Sequence, residues 1–324
     1  MKTRLGLVIY AWGIHQRNRW EGRHPGLGAP LAFLEECQLL GAGGLQYPFA
    51  LDDEPHAAEF RRRAESYEMH VEASVSPPRD DTDVDRFERQ IRIARLFGAT
   101  IARTVLFPGR RYEQFKSVGE FRDYSVRGGR SLELAEPVVR RHQVRLAVEN
   151  HKDQRRPERL AFLEGLSSEF VGACVDVGNN LALLEDEVEL ARSFAPWVWS
   201  VHLKDQDFAE DPEGFLLADA ALGQGCLNLI EVVKILREAR PGLNFNLEVI
   251  TRDALKVPVF TPQYWATLGE VPASDLAAVL RRVRERKDRP AFPMLSRMEP
   301  KEQLAQEREN VQQSLSYARE KLGL

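Results

Sequence analysis

The chain has 324 residues, 43% hydrophobic and 29% charged, a composition that supports a large buried core and excludes intrinsic disorder. Its formal net charge of −4 excludes an overall basic field of the kind that draws in phosphodiester polymers, so nucleic acid is not an expected partner. Cys37, Cys174 and Cys226 are widely spaced with no C-x-x-C pair, which excludes a disulfide framework and a thiolate zinc site. The amino-terminal stretch runs straight into a strand pattern with too short an apolar run for a signal peptide, and no window approaches the roughly 18 apolar residues of a membrane span. A cytoplasmic protein without a membrane partner is expected.

Taken in chain order, strand-like runs fall at residues 4–10, 44–47, 70–75, 100–107, 144–149, 171–176, 198–203 and 243–249. Helical periodicity falls between and after them at 30–40, 55–69, 83–97, 131–142, 157–166, 185–194, 227–239 and 274–286. Gly41 and Gly98 sit where helices stop, and Asn228 or Ser274 sits where one starts. This β-α alternation predicts an α/β fold with parallel strands closed into a (β/α)8 TIM barrel, an open doubly wound sheet being the competing arrangement. Long insertions at 107–130, 204–225 and 250–272 all follow strands, on the side where barrels of this kind build their active sites.

The barrel domain is assigned to residues 1–288 and a C-terminal helical extension to 289–324. Within the extension, Leu304, Val311, Leu315, Ala318 and Leu322 form one narrow apolar seam over 301–322. That seam suits either the barrel's own outer helices or a second subunit in a homo-oligomer.

Four strand-like segments each end in one hard metal ligand: Glu149 in Leu-Ala-Val-Glu-Asn, Asp176 in Ala-Cys-Val-Asp-Val, His202 in Ser-Val-His-Leu-Lys and Glu248 in Phe-Asn-Leu-Glu-Val. Strand alternation puts Ala147 with Glu149, Cys174 with Asp176, Ser200 with His202 and Lys204, and Asn246 with Glu248 on the small or polar faces, which suit a barrel interior. Uncompensated carboxylates crowded together repel and raise one another's pKa values, and a divalent cation removes that problem. The donor set suits a divalent ion, with Mn²⁺ expected and Mg²⁺, Co²⁺ or Zn²⁺ as its competitors. Around the quartet, Lys204 is a candidate for oxyanion stabilisation and His151 for acid or base work. Asn150, Asn179, Asn180 and Asp205 are candidates for hydroxyl recognition, Trp12 for an apolar wall against a sugar ring, and Arg103 and Glu72 for the interior lining. Leu222-Gly-Gln-Gly-Cys offers a weak anion-binding turn, and the Arg110-Arg-Tyr-Glu-Gln-Phe-Lys segment is either a cover for substrate or a solvated connector.

These motifs, Val148-Glu-Asn-His, Cys174-Val-Asp-Val-Gly-Asn-Asn, Val201-His-Leu-Lys-Asp and Asn246-Leu-Glu, resemble the xylose isomerase-like barrel superfamily, in particular its sugar phosphate isomerase/epimerase group with ketose 3-epimerases and inosose dehydratases. The resemblance implies that Glu149, Asp176, His202 and Glu248 hold the metal and that Glu149 and Glu248 also move protons on opposite faces of a carbohydrate. It therefore implies a metal-dependent isomerase or epimerase acting on a keto-sugar or related polyol through an enediolate. Expulsion of a leaving group from the same intermediate would make a dehydratase or lyase on an inosose or 3-oxo-glycoside. The pattern departs at Asn179, where ketose 3-epimerases usually carry a histidine; an amide cannot take up a proton as imidazole can. An endonuclease IV-like phosphodiesterase shares the barrel, but seven histidines and a net charge of −4 fit it poorly. A non-catalytic sugar-binding barrel is the third reading.

Overall fold

The computed structural model describes residues 4–17 and 27–324; the first three residues of the amino-terminal stretch lie outside them. Eight parallel strands close into a barrel: β1 (Gly6–Val8), β2 (Gly44–Tyr47), β3 (His70–Ser74), β4 (Ile101–Thr104), β5 (Arg145–Glu149), β6 (Val171–Asp176), β7 (Val198–Leu203) and, eighth around the wall, β10 (Phe245–Leu247), which pairs with both β7 and β1. Between β7 and β10 the chain forms β8 (Asp205–Asp211) and β9 (Gly214–Ala220), and after β10 comes β11 (Leu255–Val257). The helices are α1 (Gly13–Arg17), α2 (Ala29–Leu40), α3 (Ala57–Ser66), α4 (Val84–Leu96), α5 (Arg111–Gln114), α6 (Val118–Arg141), α7 (Arg156–Leu166), α8 (Glu187–Phe194), α9 (Leu229–Ala239), α10 (Pro262–Trp265), α11 (Ala273–Glu285) and α12 (Pro300–Tyr317).

All eight expected barrel strands are present, several of them shorter than the patterns suggested. The run at 243–249 contributes only Phe245–Leu247, because its partner β1 offers a ladder only as far as Val8 before the chain coils into a short 3-10 turn. The Asn228 side chain caps α9 by accepting the Glu231 N–H, whereas α11 starts at Ala273, so Ser274 is already inside the helix and makes no cap.

Two insertions fold in ways the periodicity did not reveal. Most of 107–130 is helix: α6 starts at the Ser117 cap and runs 24 residues through Gly128-Gly129. Those glycines read as breakers, but a Cβ on Gly128 would sit 3.1 Å from Leu106 Cδ1, so glycine there lets the helix lie close to the chain leaving β4. The insertions after the seventh and eighth barrel strands combine into a three-stranded antiparallel sheet in the order β11-β9-β8. Its apolar face, with Phe208, Phe215, Leu217 and Val257, packs on Tyr264, Val279 and Val283 as a cluster of its own above the barrel.

Helix α11 therefore serves this upper sheet. The place on the barrel wall is taken by the carboxy-terminal segment: Val311, Leu315, Ala318 and Leu322 are buried in the main core with Leu7, Ile9 and Trp12, while Leu304 is only half-buried. Of the two partners considered for the seam, it is the protein's own barrel that covers it. Buried Glu307 fastens the contact by accepting the Ile14 N–H at 2.7 Å and the His15 N–H at 2.9 Å. Among the described residues no helix is long and apolar enough to cross a membrane.

Candidate active site and metal centre

Glu149 and Asp176 are the last residues of β5 and β6, and His202 is one residue from the end of β7, opposite Asp176 in the parallel register. Glu248 follows β10 directly, and its N–H donates to the Leu203 carbonyl at 3.0 Å, which prolongs the ladder by one bond. Four neighbouring strands thus bring one ligand atom each to within 4.8 Å of one another, with no side chain of the four more than 4% exposed.

The inner faces below the quartet hold it in place. Gln46 on β2 donates through Nε2 to Glu72 Oε2 at 3.0 Å, so its carbonyl oxygen is the acceptor for His202 Nε2 at 2.9 Å. Glu72 is itself fixed by Ser200 Oγ at 2.6 Å and Asn246 Nδ2 at 3.0 Å. With Nε2 donating to Gln46, His202 Nδ1 faces Glu149 Oε2 at 3.4 Å and Glu248 Oε2 at 3.3 Å and has no hydrogen-bond partner, and although burial would lower it, Cys174, Glu248 and Glu149 raise the imidazole well above its ordinary range. The position facing both carboxylates is one where a cation can replace the imidazole proton, so the donor set fits a hard divalent ion.

Besides His202, the cations Arg103, Lys204 and Lys152 stand in or beside the ring of carboxylates. The Arg103 guanidinium is paired with Glu149. Lys204 Nζ lies 2.7 Å from Asp176 Oδ2 and 2.9 Å from Glu248 Oε2, and both it and Lys152 approach Asn179 Oδ1. Burial alone would raise the Glu149 carboxyl, but Arg103 holds it below its ordinary range. Glu248 is held well down in the same way, its burial outweighed by His202 and Lys204. For Asp176 burial wins over Lys204 and pushes the carboxyl up to about 6, while burial, aided by Lys204, lowers the Lys152 ammonium to about 8.

Above the ring opens a cleft of about 820 Å³, lined by Tyr10, Arg103, Tyr124, Arg127 and His151 among others. Glu248 is the member of the quartet that lines it. Glu149, in contrast, is completely enclosed, with Oε2 on Arg103 and Oε1 accepting Asn179 Nδ2 at 3.1 Å. His151 reaches the cleft wall with a buried, unpartnered Nδ1, and burial lowers its imidazole to about 4.

Other expected substrate ligands sit elsewhere. Trp12 is buried, stacked on His15 with ring centroids 3.8 Å apart, and does not line the cleft; Tyr10, two residues earlier, does. Asn150 ties β5 to β6, donating to the Asp176 carbonyl at 2.8 Å and accepting the Asp176 N–H at 2.9 Å. Asn180 donates to Glu185 Oε2 at 2.6 Å. Asp205 accepts N–H groups of Gln206, Gly223, Gly225 and Leu227, so the Gly-Gln-Gly turn satisfies this carboxylate and offers those groups to no external anion. In the segment starting at Arg110, Arg111 and Tyr112 are buried, with Arg111 3.4 Å above the Phe121 ring: it is a packed connector. Sequence reasoning missed Lys152, Gln46 and Arg127. A polar residue alternating with Gly44 on a buried strand was the available signal for Gln46; Lys152, in a loop with φ 63°, and Arg127, on a helix, had none.

Residues 34–282 match the model of the xylose isomerase-like TIM barrel family. The chain belongs to that family. It is 28% identical over 110 residues, 33% of this chain and 40% of the relative, to the 3-oxo-isoapionate decarboxylase of Pectobacterium atrosepticum, so the match spans well under half of that relative's length. Among solved structures it resembles a D-psicose 3-epimerase determined in the presence of D-fructose (TM-score 0.62, 15% identity, 100% of both chains). It also resembles a xylose isomerase-like barrel protein of Mycobacterium smegmatis in complex with magnesium (TM-score 0.55, 18% identity, 86% of this chain and 100% of the other). At these identities the structural likeness establishes the fold.

Proposed function

We propose that this protein is a divalent-metal-dependent isomerase or epimerase of a keto-sugar or related polyol, with Mn²⁺ as its ion. The observation that carries the reading is the quartet itself: Glu149, Asp176, His202 and Glu248 converge within 4.8 Å around a His202 Nδ1 that has no other partner, at the foot of a cleft of sugar-binding size. When bound, a divalent cation polarises a substrate carbonyl and acidifies the adjacent C–H. Glu248 lines the cleft and its Oε1 is the oxygen not engaged by Lys204, so it is the base that removes the carbon-bound proton. Glu149, enclosed between Arg103 and Asn179, holds the opposite side of the ring; the second proton transfer that the resemblance assigns to it would require Arg103 or Asn179 to release one of its oxygens. Lys204 balances the negative oxygen that develops, and His151 is placed on the wall to exchange a proton with a substrate hydroxyl.

Solvent deuterium uptake next to the substrate carbonyl tests this directly. Glu248→Gln should abolish exchange while keeping the fold, and removal of the metal by chelation should abolish it in the wild type. Full exchange in Glu248→Gln would remove the base assignment.

A second reading, expulsion of a leaving group from the same intermediate or loss of carbon dioxide from a 3-oxo acid to reach an equivalent enolate, is favoured over epimerisation by Asn179. Its amide is tied to Lys152, Glu149 and Asn150 and is far too weak an acid to return a proton to the second face, as epimerisation needs. The decarboxylase relative is consistent with that reading. Product NMR after incubation with keto-sugars, inososes and 3-oxo acids separates the two: a stereoisomer supports the first, loss of water or carbon dioxide the second.

A further inference from the structure

Below the metal ring the barrel encloses one more carboxylate, which touches none of the four ligands; what it does for them is an inference that rests on the metal-dependent reading above. Glu72 points inward from β3 and is fully buried, and neutral groups satisfy it: Gln46 Nε2 at 3.0 Å, Ser200 Oγ at 2.6 Å and Asn246 Nδ2 at 3.0 Å on Oε2, and Asn244 Nδ2 at 3.1 Å on Oε1. Donors on both oxygens suit the ionised form, which only accepts. Among the described residues no cation pairs with it. A buried carboxylate without a counter-ion is costly, and an amide of the same shape would avoid that cost, so the charge calls for a reason beyond packing.

The donors around Glu72 are fixed in their turn. His70 Nε2 donates to Asn246 Oδ1 at 2.9 Å, and its ring has room there because β1 and β2 carry Gly6 and Gly44, where a Cβ would strike it. One of the four donors leads to the metal site. Gln46, held by Glu72 through Nε2, presents Oε1 to His202 Nε2 at 2.9 Å, so carboxylate, amide and imidazole stand in one hydrogen-bonded line that ends at the Nδ1 facing Glu149 and Glu248. Hydrogen bonds in such a line polarise one another, and negative charge behind a histidine ligand strengthens its hold on a metal.

We propose that Glu72 is a positioning residue of the metal centre, and that its charge, passed through Gln46, strengthens His202 as a ligand. The buried charge is then kept for the ion, and the polar floor of the barrel exists to hold that one carboxylate in line.

Calorimetric titration with Mn²⁺ of the wild type, Glu72→Gln and the exchange variant Gln46→Glu/Glu72→Gln tests this by binding alone. Glu72→Gln keeps the shape and should bind Mn²⁺ roughly tenfold more weakly. The exchange sets the carboxylate directly on His202 Nε2 with the amide behind it, and should bring the affinity back to that of the wild type; a packing defect would not be mended by moving the charge one place along the line. Proton NMR of the metal-free protein labelled with ¹⁵N-histidine reads the line without any metal: the His202 Nε2 proton should move upfield in Glu72→Gln, as its hydrogen bond to Gln46 weakens. Equal Mn²⁺ affinity in wild type and Glu72→Gln overturns the proposal, as does an unmoved Nε2 proton or a loss of affinity that a folded exchange variant leaves unmended. The titration also separates the two levels: a wild type that binds Mn²⁺ as tightly as Glu72→Gln leaves the metal-dependent reading standing and removes this one, whereas a wild type that fails to bind Mn²⁺ removes both.

Discussion

Gln46 decides which way His202 faces. Its amide is oriented by Glu72, and that orientation makes Nε2 of the imidazole the donor to Gln46 and turns Nδ1 toward the carboxylates. Gln46→Leu should keep the barrel but free the ring to rotate, and Mn²⁺ affinity measured by calorimetry should fall roughly 10- to 100-fold. The two glutamates of the quartet also differ once their surroundings are known. Glu248 has a carboxylate oxygen toward the cleft, and Glu149 has both oxygens engaged by Arg103 and Asn179. Glu149→Gln should therefore damage metal affinity as well as exchange, a loss visible in the same titration.

At the scale of elements, the wall of the cleft depends on how the chain leaving β3 is tied to α4 and α6. Asp83, just before α4, accepts from Arg86 and Arg79, and Arg86 also bonds the Ser76 and Pro77 carbonyls. Arg86 first, and then Arg79, hold the Asp83 carboxyl far below its ordinary range. A carboxyl depressed in the folded state stabilises that state above its unfolded pKa of about 3.9 and loses the contribution as pH falls through the folded value. Asp83→Asn should lower the thermal midpoint at pH 7, and the difference from wild type should shrink as the scan is moved to about pH 3. An equal difference at both pH values would assign the effect to shape alone. The upper sheet formed by β8, β9 and β11 is a second such element, pinned where Gly214 passes so near β11 that a Cβ would strike the Val257 carbonyl. Its apolar cluster encloses Tyr112 and Tyr264, which makes the rim above β7 and β10 a packed layer.

For the molecule as a whole, closure of the barrel depends on both ends of the chain. The carboxy-terminal segment covers β1 and the turn after it, and Glu307 accepts the backbone N–H groups that open α1. Leu315, 2% exposed in the main core, should cost about 2–5 kcal/mol when replaced by Ala, read from urea denaturation. A chain ending at residue 288 would uncover Trp12, Leu7 and Ile9 and should aggregate on expression, where a separately folding barrel would stay monodisperse by light scattering.

Much was legible in the sequence because barrel strands repeat a simple code. Eight short runs, alternating with helical periods, forced a parallel closed sheet, and the period of two placed Glu149, Asp176, His202 and Glu248 on inner faces at one end, since alternation leaves a side chain only two directions to point. What alternation could not supply was anything depending on residues far apart in the chain. Asn150 and Asp205 have the chemistry of sugar ligands, and only the packed loops show that backbone groups already satisfy them. Lys152 became part of the site because a loop turns its ammonium inward, and Arg127 because a helix read as loop runs along the cleft. The sequence by itself determined the barrel and its four converging ligands, since local patterns dictate both. Which helix closes the wall, which glutamate meets the cleft and how charge balances around the metal site were decided by tertiary structure, because each depends on contacts between segments that no local pattern relates.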